Sequence, residues 1–249
     1  MKRLCNILCA LLLLGTMTSC EDWLDVDPKS EVKSDVMFQS VSGFKDALTG
    51  IYLLMSDQDL YGREATWGFV DALAQQTDVR GGEASTWYNA TRYNYSATTT
   101  SSNGIWSKSY NIIANVNFLL ENLEKKKEMF APAMYAVIKG EALGLRAFLH
   151  FDLLRLFCEN AKSTSDEDGI PYVDELTKQV TVSVSPAKVV ERVIQDLTDA
   201  ATCLANDPVL TGREVSTSED DGYLVNRNYH LNYYAVMGLM ARVYMYAEN

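Results

Sequence analysis

Hydrophobic residues recur every three to four positions along most of the chain, which is the spacing of one face of an α-helix. The pattern predicts a first helix over 38–55 and a less regular helical stretch over 65–75. Longer amphipathic helices are predicted over 106–123, over 132–157, over 186–204 and from about 228 onward. Pro186 suits the first turn of its helix, where the missing N–H costs nothing.

The segments between these helices are long and lack a period. Residues 77–103 contain glycine, serine, threonine, asparagine and aromatic residues without helical or strand spacing, and they are predicted to form one long loop. The linkers 160–185 and 206–227 are also irregular, and no strict repeat is present. The predicted fold is therefore mainly α, with tetratricopeptide-like antiparallel helix pairs and long irregular loops.

The first residues have the composition of an export signal. Lys2 and Arg3 precede an apolar run over 7–14, which is too short to span a bilayer. Cys20 follows Met-Thr-Ser directly, and this stretch resembles the lipobox of bacterial lipoproteins. We therefore predict a lipoprotein signal peptide at 1–19 and lipidation of Cys20, through which the mature protein is anchored to a membrane. The alternative is that Cys20 is the first cysteine of a secreted domain.

Charge and composition limit the partners of the rest of the chain. Residues 20–36 are acidic and contain Pro28, so they are predicted to form a tether, while 37–249 form the helical body. The chain has 33 acidic and 22 basic side chains and a formal net charge of −11, which argues against nucleic acid as a partner. The last predicted helix ends without a capping glycine, a proline or a polar tail, so we expect the body to be incomplete at its C-terminus.

Motifs for catalysis or for a structural metal are missing from the sequence. His150 and His230 are the only histidines, and His150 is interpreted as a residue of a helix face and not as a base. Cys158 and Cys203 are interpreted as small buried hydrophobic residues, with a disulfide between them as the alternative. We expect no enzyme activity and no cofactor. A glycosidase, which needs only two suitably spaced carboxylates, is the alternative.

Aromatic side chains mixed with polar ones are typical of sites that bind sugars without cleaving them, because flat rings stack on pyranose rings while polar groups bond hydroxyls. This mixture is densest within the predicted loop 77–103. The candidate ligand-binding residues are Asp78, Arg80, Trp87, Tyr88, Asn89, Arg92, Tyr93 and Asn94. In the alternative interpretation, the aromatic residues pin the loop onto the helices.

The acidic stretch 164–175 approximates the spacing of a calcium-binding loop. Asp166, Asp168 and Glu175 fall at the third, fifth and twelfth positions of that motif. Thr164 stands where the first aspartate is expected. The preferred interpretation is a solvated acidic connector without a metal, and a calcium site is the alternative.

Six segments together resemble one known family, in the same order along the chain. They are LDVDPKSEV, FQSVSGFKDALTGIY, IWSKSYNIIANVNFLLENL, GEALGLRAFLHFDLLRLF with the following GIPYV, SPAKVVERVIQDLTDA, and NRNYHLNYYAVMGLMARVYMYAEN. With these segments the chain resembles the SusD/RagB family of outer-membrane nutrient-binding lipoproteins. The resemblance implies that 37–249 are the N-terminal helical domain of such a protein.

Function is implied by the same resemblance. Family members are lipid-anchored at the outer membrane, face the outside, and deliver oligosaccharides or peptides to a TonB-dependent transporter of the SusC type. We therefore expect capture of a nutrient, with a glycan as the first choice. The alternatives are a peptide-binding member and a structural lid of the transporter that has no ligand site of its own.

Overall fold

The computed structural model describes residues 34–212 and 222–248. The chain divides into an N-terminal unit, 1–37, and a second unit, 38–249. In the first unit the structure describes helix α1 (Ser34–Met37). The helices of the second unit are α2 (Val41–Met55), α3 (Phe69–Leu73), α4 (Thr86–Thr91), α5 (Tyr95–Lys125), α6 (Pro132–Phe157), α7 (Pro186–Cys203), α8 (Pro208–Thr211) and α9 (Tyr233–Tyr246). The antiparallel strands β1 (Ile170–Pro171) and β2 (Ser183–Val184) pair with each other.

Helix α6 lies at the centre of the second unit, where α5 and α7 pack against it. Its central turns, 140–147, are buried on all sides, which requires small residues where neighbours come closest. A Cβ atom at Gly144 would lie 2.3 Å from Cδ2 of Leu231, and one at Gly140 would lie 2.6 Å from Cγ of Leu204. The predicted mainly α fold with tetratricopeptide-like helix pairs is confirmed.

Several helix starts follow from local chemistry that the sequence shows. Ser40 accepts a hydrogen bond from the backbone N–H of Gly43 at the start of α2, and Asn232 accepts one from Ala235 at the start of α9. Pro132 and Pro186 occupy first-turn positions of α6 and α7. Because Asn232 caps α9, this helix begins at Tyr233 and not near residue 228 as predicted.

The predicted long loop over 77–103 is wrong. The structure has α4 within it, and α5 begins at Tyr95, eleven residues before the start predicted from the hydrophobic stripe. In this polar part of α5, the hydroxyls of Thr98 and Ser102 donate to backbone carbonyls of the preceding turn, and Thr98 is buried. Internal hydrogen bonds of this kind satisfy the hydroxyls, and packing overrides the weak helix propensity of serine and threonine.

The predicted helical stretch over 65–75 is likewise shorter in the structure, where only Phe69–Leu73 form α3. The predicted signal peptide, 1–19, and Cys20 lie outside the described residues. Of the predicted tether, 20–36, the structure describes only the last three residues, and they belong to α1. Within the described residues, no helix is long and apolar enough to cross a membrane.

A buried ionic cluster joins α6 to the C-terminal part of the chain. Glu141 of α6 and Asp207, which caps α8, both pair with Arg227. The Arg227 guanidinium donates to both carboxylate oxygens of Asp207, with its Nη2 atom 2.8 Å from Oδ2. The hydroxyl of Tyr52 donates to Glu141 at 2.8 Å, and all three charged residues are at most 2% exposed. Since a buried charge is costly unless it is paired, these contacts fix the positions of three separate segments.

A second buried cluster joins α6 to α7. The Arg146 guanidinium makes a two-pronged contact with Asp196, with both N–O distances 2.7 Å. Its remaining nitrogen donates at 2.9 Å to the Asn117 side chain and to the backbone carbonyl of Asp174. The hydroxyl of Tyr172 donates to the same Asp196 carboxylate at 2.6 Å. Arg146 thereby holds α5, α7 and the segment after β1 together.

His150 is fully buried and acts as part of this scaffold. Its Nδ1 lies 2.9 Å from the carbonyl oxygen of Arg146, so Nδ1 carries the proton and donates, while Nε2 accepts from the backbone N–H of Val173 at 3.0 Å. The ring stacks on Tyr172 with a centroid separation of 3.9 Å. Burial lowers the pKa of His150 from 6.5 to about 3. This environment matches the sequence interpretation of His150 as a structural residue.

Both cysteines of the helical body are free thiols. Cys158 is buried at the end of α6, and Cys203, the last residue of α7, is partly exposed. Burial raises the pKa of both thiols, which keeps them protonated. They therefore act as small hydrophobic residues, as interpreted from the sequence, and the alternative of a disulfide between them is not realised.

Replacing Arg227 tests the first ionic cluster. We expect Arg227→Met to lower the free energy of unfolding by about 3–5 kcal/mol, because two buried carboxylates would lose their cation. Urea unfolding monitored by circular dichroism measures this loss. The matched control is Arg192→Met, which removes a half-exposed ion pair of 3.4 Å with Asp174 and should cost at most about 1 kcal/mol. Equal losses in the two variants would contradict the role assigned to the cluster.

The depressed pKa of His150 predicts a pH dependence of stability. Above pH 6.5 the imidazole is neutral in both states, and the full stability is present. As the pH falls from 6.5 towards 3, the unfolded chain binds a proton that the folded chain does not, so stability drops by up to about 1.4 kcal/mol per pH unit. Urea unfolding between pH 7 and 4.5 should show a shallower dependence for His150→Gln than for the natural protein. Parallel curves below pH 6 would contradict the prediction.

Candidate functional site

Glu64 organises the irregular segment between α2 and α3. Its carboxylate is almost completely buried and accepts three hydrogen bonds. The donors are the backbone N–H of Phe69 at 3.0 Å, the indole N–H of Trp87 at 3.0 Å and Nε of Arg63 at 2.7 Å. One acid therefore satisfies a free N–H group at the start of α3 and also positions a tryptophan from α4.

An open cleft of about 390 Å³ lies beside this carboxylate. We call it the Trp87 cleft, and its lining residues are Asp59, Arg63, Glu64, Ser85, Thr86, Trp87, Thr100 and Ser101. The exposed ring of Trp67 stands against Trp87 in an edge-to-face contact with a centroid separation of 6.0 Å. Aromatic surface, hydroxyl groups and charges thus meet at one place, which suits a ligand rich in hydroxyls.

Charges at the edge of the Trp87 cleft are held in fixed pairs. The Lys108 ammonium contacts Asp57 at 2.6 Å and Asp59 at 3.0 Å. Hydrogen bonding to Lys108 lowers the pKa of Asp57, and the two carboxylates raise the pKa of Lys108. Arg63 also donates to the side-chain oxygen of Gln58 at 3.1 Å. These contacts orient polar groups around the cleft before any ligand binds.

The candidate residues from the sequence do not form one cluster. Trp87 lines the cleft, whereas Asn89 is buried and bonds the backbone carbonyls of Glu83 and Ser85 as well as the side chain of Asn94. Asn89 therefore shapes the turn before α4.

The other candidates form separate pairs at the surface. Asp78 and Arg80 form an exposed ion pair of 3.3 Å. The guanidinium of Arg92 lies 5.3 Å from the ring centre of Tyr88. Tyr93 is half-exposed and stands 6.4 Å from the ring of Tyr95. Their role in ligand binding stays a prediction.

Sequence reasoning missed most of the Trp87 cleft. Asp59, Arg63 and Glu64 lie in a stretch of consecutive turns, where no period marks which side chains point together. Besides the candidate Trp87, the signal that the sequence offered is Trp67, because a tryptophan beside Thr66 and Gly68 in a stretch of turns is unusual.

The acidic stretch that approximates a calcium loop uses its carboxylates in local contacts. Asp166 accepts a hydrogen bond from the backbone N–H of Ser185 at 2.8 Å, and Asp168 accepts one from the hydroxyl of Ser163 at 2.5 Å. Glu175 is exposed. Across residues 34–212 and 222–248, no group of three or more histidine, cysteine, aspartate or glutamate side chains is arranged to hold a metal ion.

A more enclosed cleft of about 400 Å³ lies between α5, α6 and α9. Asp71 and Asp152 are its acids, and Asp152 accepts a hydrogen bond from the hydroxyl of Tyr61 at 3.0 Å and pairs with Arg155 at 3.3 Å. Burial raises the pKa of Asp152. The carboxylate is thus held by two partners, and Arg242 lies at the same cleft.

Comparison with known proteins extends over nearly the whole chain. Residues 22–245 match the model of the SusD-like family that is described as starch-binding and associating with the outer membrane. The SusD-like protein P25 of Formosa agariphila is 23% identical over 158 residues, which are 61% of this chain and 30% of that protein.

Solved structures share the fold at low sequence identity. A SusD homologue from Bacteroides thetaiotaomicron superposes with a TM-score of 0.65 at 19% identity, covering 87% of this chain and 38% of that one. A laminarin-binding SusD-like protein superposes with a TM-score of 0.56 at 17% identity, covering 82% of this chain and 40% of that one.

The chain thus spans about a third of the length of the curated relative and about two fifths of these solved chains. The match to the family model, together with the shared helical fold, establishes that the chain belongs to the SusD-like family, whose members are associated with the outer membrane and with carbohydrate binding.

Proposed function

We propose that this protein is a surface-exposed outer-membrane lipoprotein that captures oligosaccharides and delivers them to a TonB-dependent transporter of the SusC type, without cleaving them. The observation that carries the proposal is the Trp87 cleft, where Trp67 and Trp87 offer aromatic surface beside fixed polar groups in a member of this family. Stacking on the indoles would orient the sugar rings, and Arg63, Asp59 and the hydroxyls would bond their hydroxyl groups.

Rigidity supports binding at this cleft. The Glu64 carboxylate holds Trp87, so one indole is already oriented in the free protein. A preorganised site loses less conformational entropy when a ligand binds, which favours a measurable affinity for a flexible oligosaccharide. Trp67 is 58% exposed and its ring does not stack face to face on Trp87, so it retains surface for a sugar ring.

Attachment to the membrane rests on Cys20 in the proposed function. The export signal, 1–19, would be removed and the thiol of Cys20 would carry the lipid, with the acidic residues after it leading to the body. A body with excess negative charge gains nothing from anionic lipid, so the acyl chains would supply the anchoring energy.

Affinity electrophoresis in gels that contain starch, laminarin or other polysaccharides tests glycan capture. We expect at least one glycan to retard the protein without release of sugar products. Trp67→Ala should weaken this retardation roughly fivefold to tenfold, because an exposed stacking surface worth about 1–1.4 kcal/mol is lost. The matched control is Tyr229→Ala, which removes an aromatic ring that is 81% exposed and does not line the cleft.

Other results would redirect the proposal. Retardation that is equal in the two variants would contradict binding at the Trp87 cleft. A protein that no glycan retards but that still co-purifies with a large transporter would be a structural lid or a peptide-binding member. Sugar products released from a glycan would contradict the non-catalytic role.

Replacing Cys20 tests the anchor. In cells supplied with labelled palmitate, we expect the natural protein to take up the label and to sediment with outer membranes, while Cys20→Ser remains unlabelled and leaves the membrane fraction. Cys9→Ser is the matched control, because Cys9 lies within the signal that is removed. A Cys20→Ser protein that still carries the label would show that lipid is attached elsewhere.

A further inference from the structure

A second open cleft, of about 400 Å³, lies between α5 and the segment that connects β1 to β2. We call it the Trp106 cleft. The lining residues that matter here are Trp106 and Tyr110 from α5, Pro171 from β1, and Thr177, Gln179 and Thr181 from the connecting segment. None of the candidate residues identified from the sequence lies in it.

The rings of Trp106 and Tyr110, which form the aromatic wall of the Trp106 cleft, are held in place by contacts with the rest of the fold. The Trp106 ring contacts Tyr110 and Phe157, in both cases with a centroid separation of 4.9 Å. The hydroxyl of Tyr110 donates to the carbonyl oxygen of Pro171 at 2.8 Å. The position of both rings is therefore determined by the fold, and no rearrangement is needed to present them to a ligand.

Hydrogen-bonding groups around this wall are unused. Within the described residues, the indole N–H of Trp106, the side-chain amide of Gln179 and the hydroxyl of Thr181 form no hydrogen bond. The described residues also contain no buried side-chain nitrogen or oxygen without a partner, so these groups are accessible to solvent. Trp87 differs in this respect, because its N–H is already bonded to Glu64.

The cleft is lined without any charged side chain. In contrast, the Trp87 cleft contains Asp59, Arg63 and Glu64. An uncharged wall of two aromatic rings with free amide, hydroxyl and indole groups matches a neutral pyranose, whose faces are apolar and whose edge consists of hydroxyls. A charged ligand would find no partner for its charge there.

We propose that the Trp106 cleft is a separate binding site for a neutral oligosaccharide. Ser101 of α5 lines the Trp87 cleft, and Trp106 stands five residues later, about 7.5 Å along and about 140° around the helix axis. The two clefts therefore open at different faces of one rigid helix. In the Trp106 cleft, the indole stacks on a sugar ring, while Gln179 and Thr181 bond its hydroxyls.

Isothermal titration of the intact protein with maltoheptaose and with laminariheptaose tests this site. Each variant is measured in the natural background and in the Trp67→Ala background, which weakens the Trp87 cleft. We expect the double variant Gln179→Ala with Thr181→Ala to lower the remaining affinity about tenfold, because two hydrogen bonds are lost. Trp106→Phe, which keeps an aromatic ring against Phe157, should also weaken binding. The matched control Lys178→Ala changes an exposed neighbour that does not line the cleft and should bind like the background.

The possible outcomes separate this site from the proposed function. If Trp67→Ala abolishes binding, and Gln179→Ala with Thr181→Ala has no effect in the natural background, the site at the Trp106 cleft is overturned. The site at the Trp87 cleft then remains. Binding that depends only on the Trp106 cleft would support the second site and contradict the first. Absence of binding at the Trp106 cleft for both probes, or tighter binding there of an oligogalacturonate, would overturn the assignment of a neutral glycan.

Discussion

Paired charges inside the helical body are the constraint on which the other features of this structure depend. Glu141 and Arg146 project from the buried helix α6, and each requires a partner of opposite charge because an unpaired charge there would cost several kcal/mol. Their partners, Arg227 and Asp196, lie 86 and 50 residues away in the sequence. The pairs therefore select one arrangement of the helices among the many that hydrophobic packing alone would tolerate.

The same principle operates at the surface on a smaller scale. Glu64 is buried in a segment without regular structure, and its three donors determine how that segment folds. The consequence is that Trp87 is fixed and Trp67 is left exposed beside it. At the Trp106 cleft, packing against Phe157 fixes the aromatic wall instead, and the neighbouring polar groups remain free. One cleft is therefore charged and the other neutral, although residues of the same helix line both.

Helices were predicted correctly from the sequence where their buried residues are hydrophobic and recur with a period of 3.6 residues. The starts of α6 and α7 were predicted because a proline and a hydrophobic stripe agree there. The polar start of α5 was missed because Thr98 is buried while its hydroxyl is satisfied within the helix, so no hydrophobic residue marks the buried face. Among the candidate ligand residues, Trp87 lines a cleft, whereas Asn89 is buried and bonds a backbone carbonyl. Local composition indicates which residue types are present and not which way they point.

The sequence by itself determined the fold class and the family, because hydrophobic spacing and residue types are properties of short segments. Only the tertiary structure decided which side chains meet. Glu64 and Trp87 are separated by 23 residues, and Trp106 and Gln179 by 73, so neither pairing leaves a local pattern. These contacts form only when the helices pack around α6 and the buried charges pair with each other. Which side chains meet therefore depends on the fold of the whole chain.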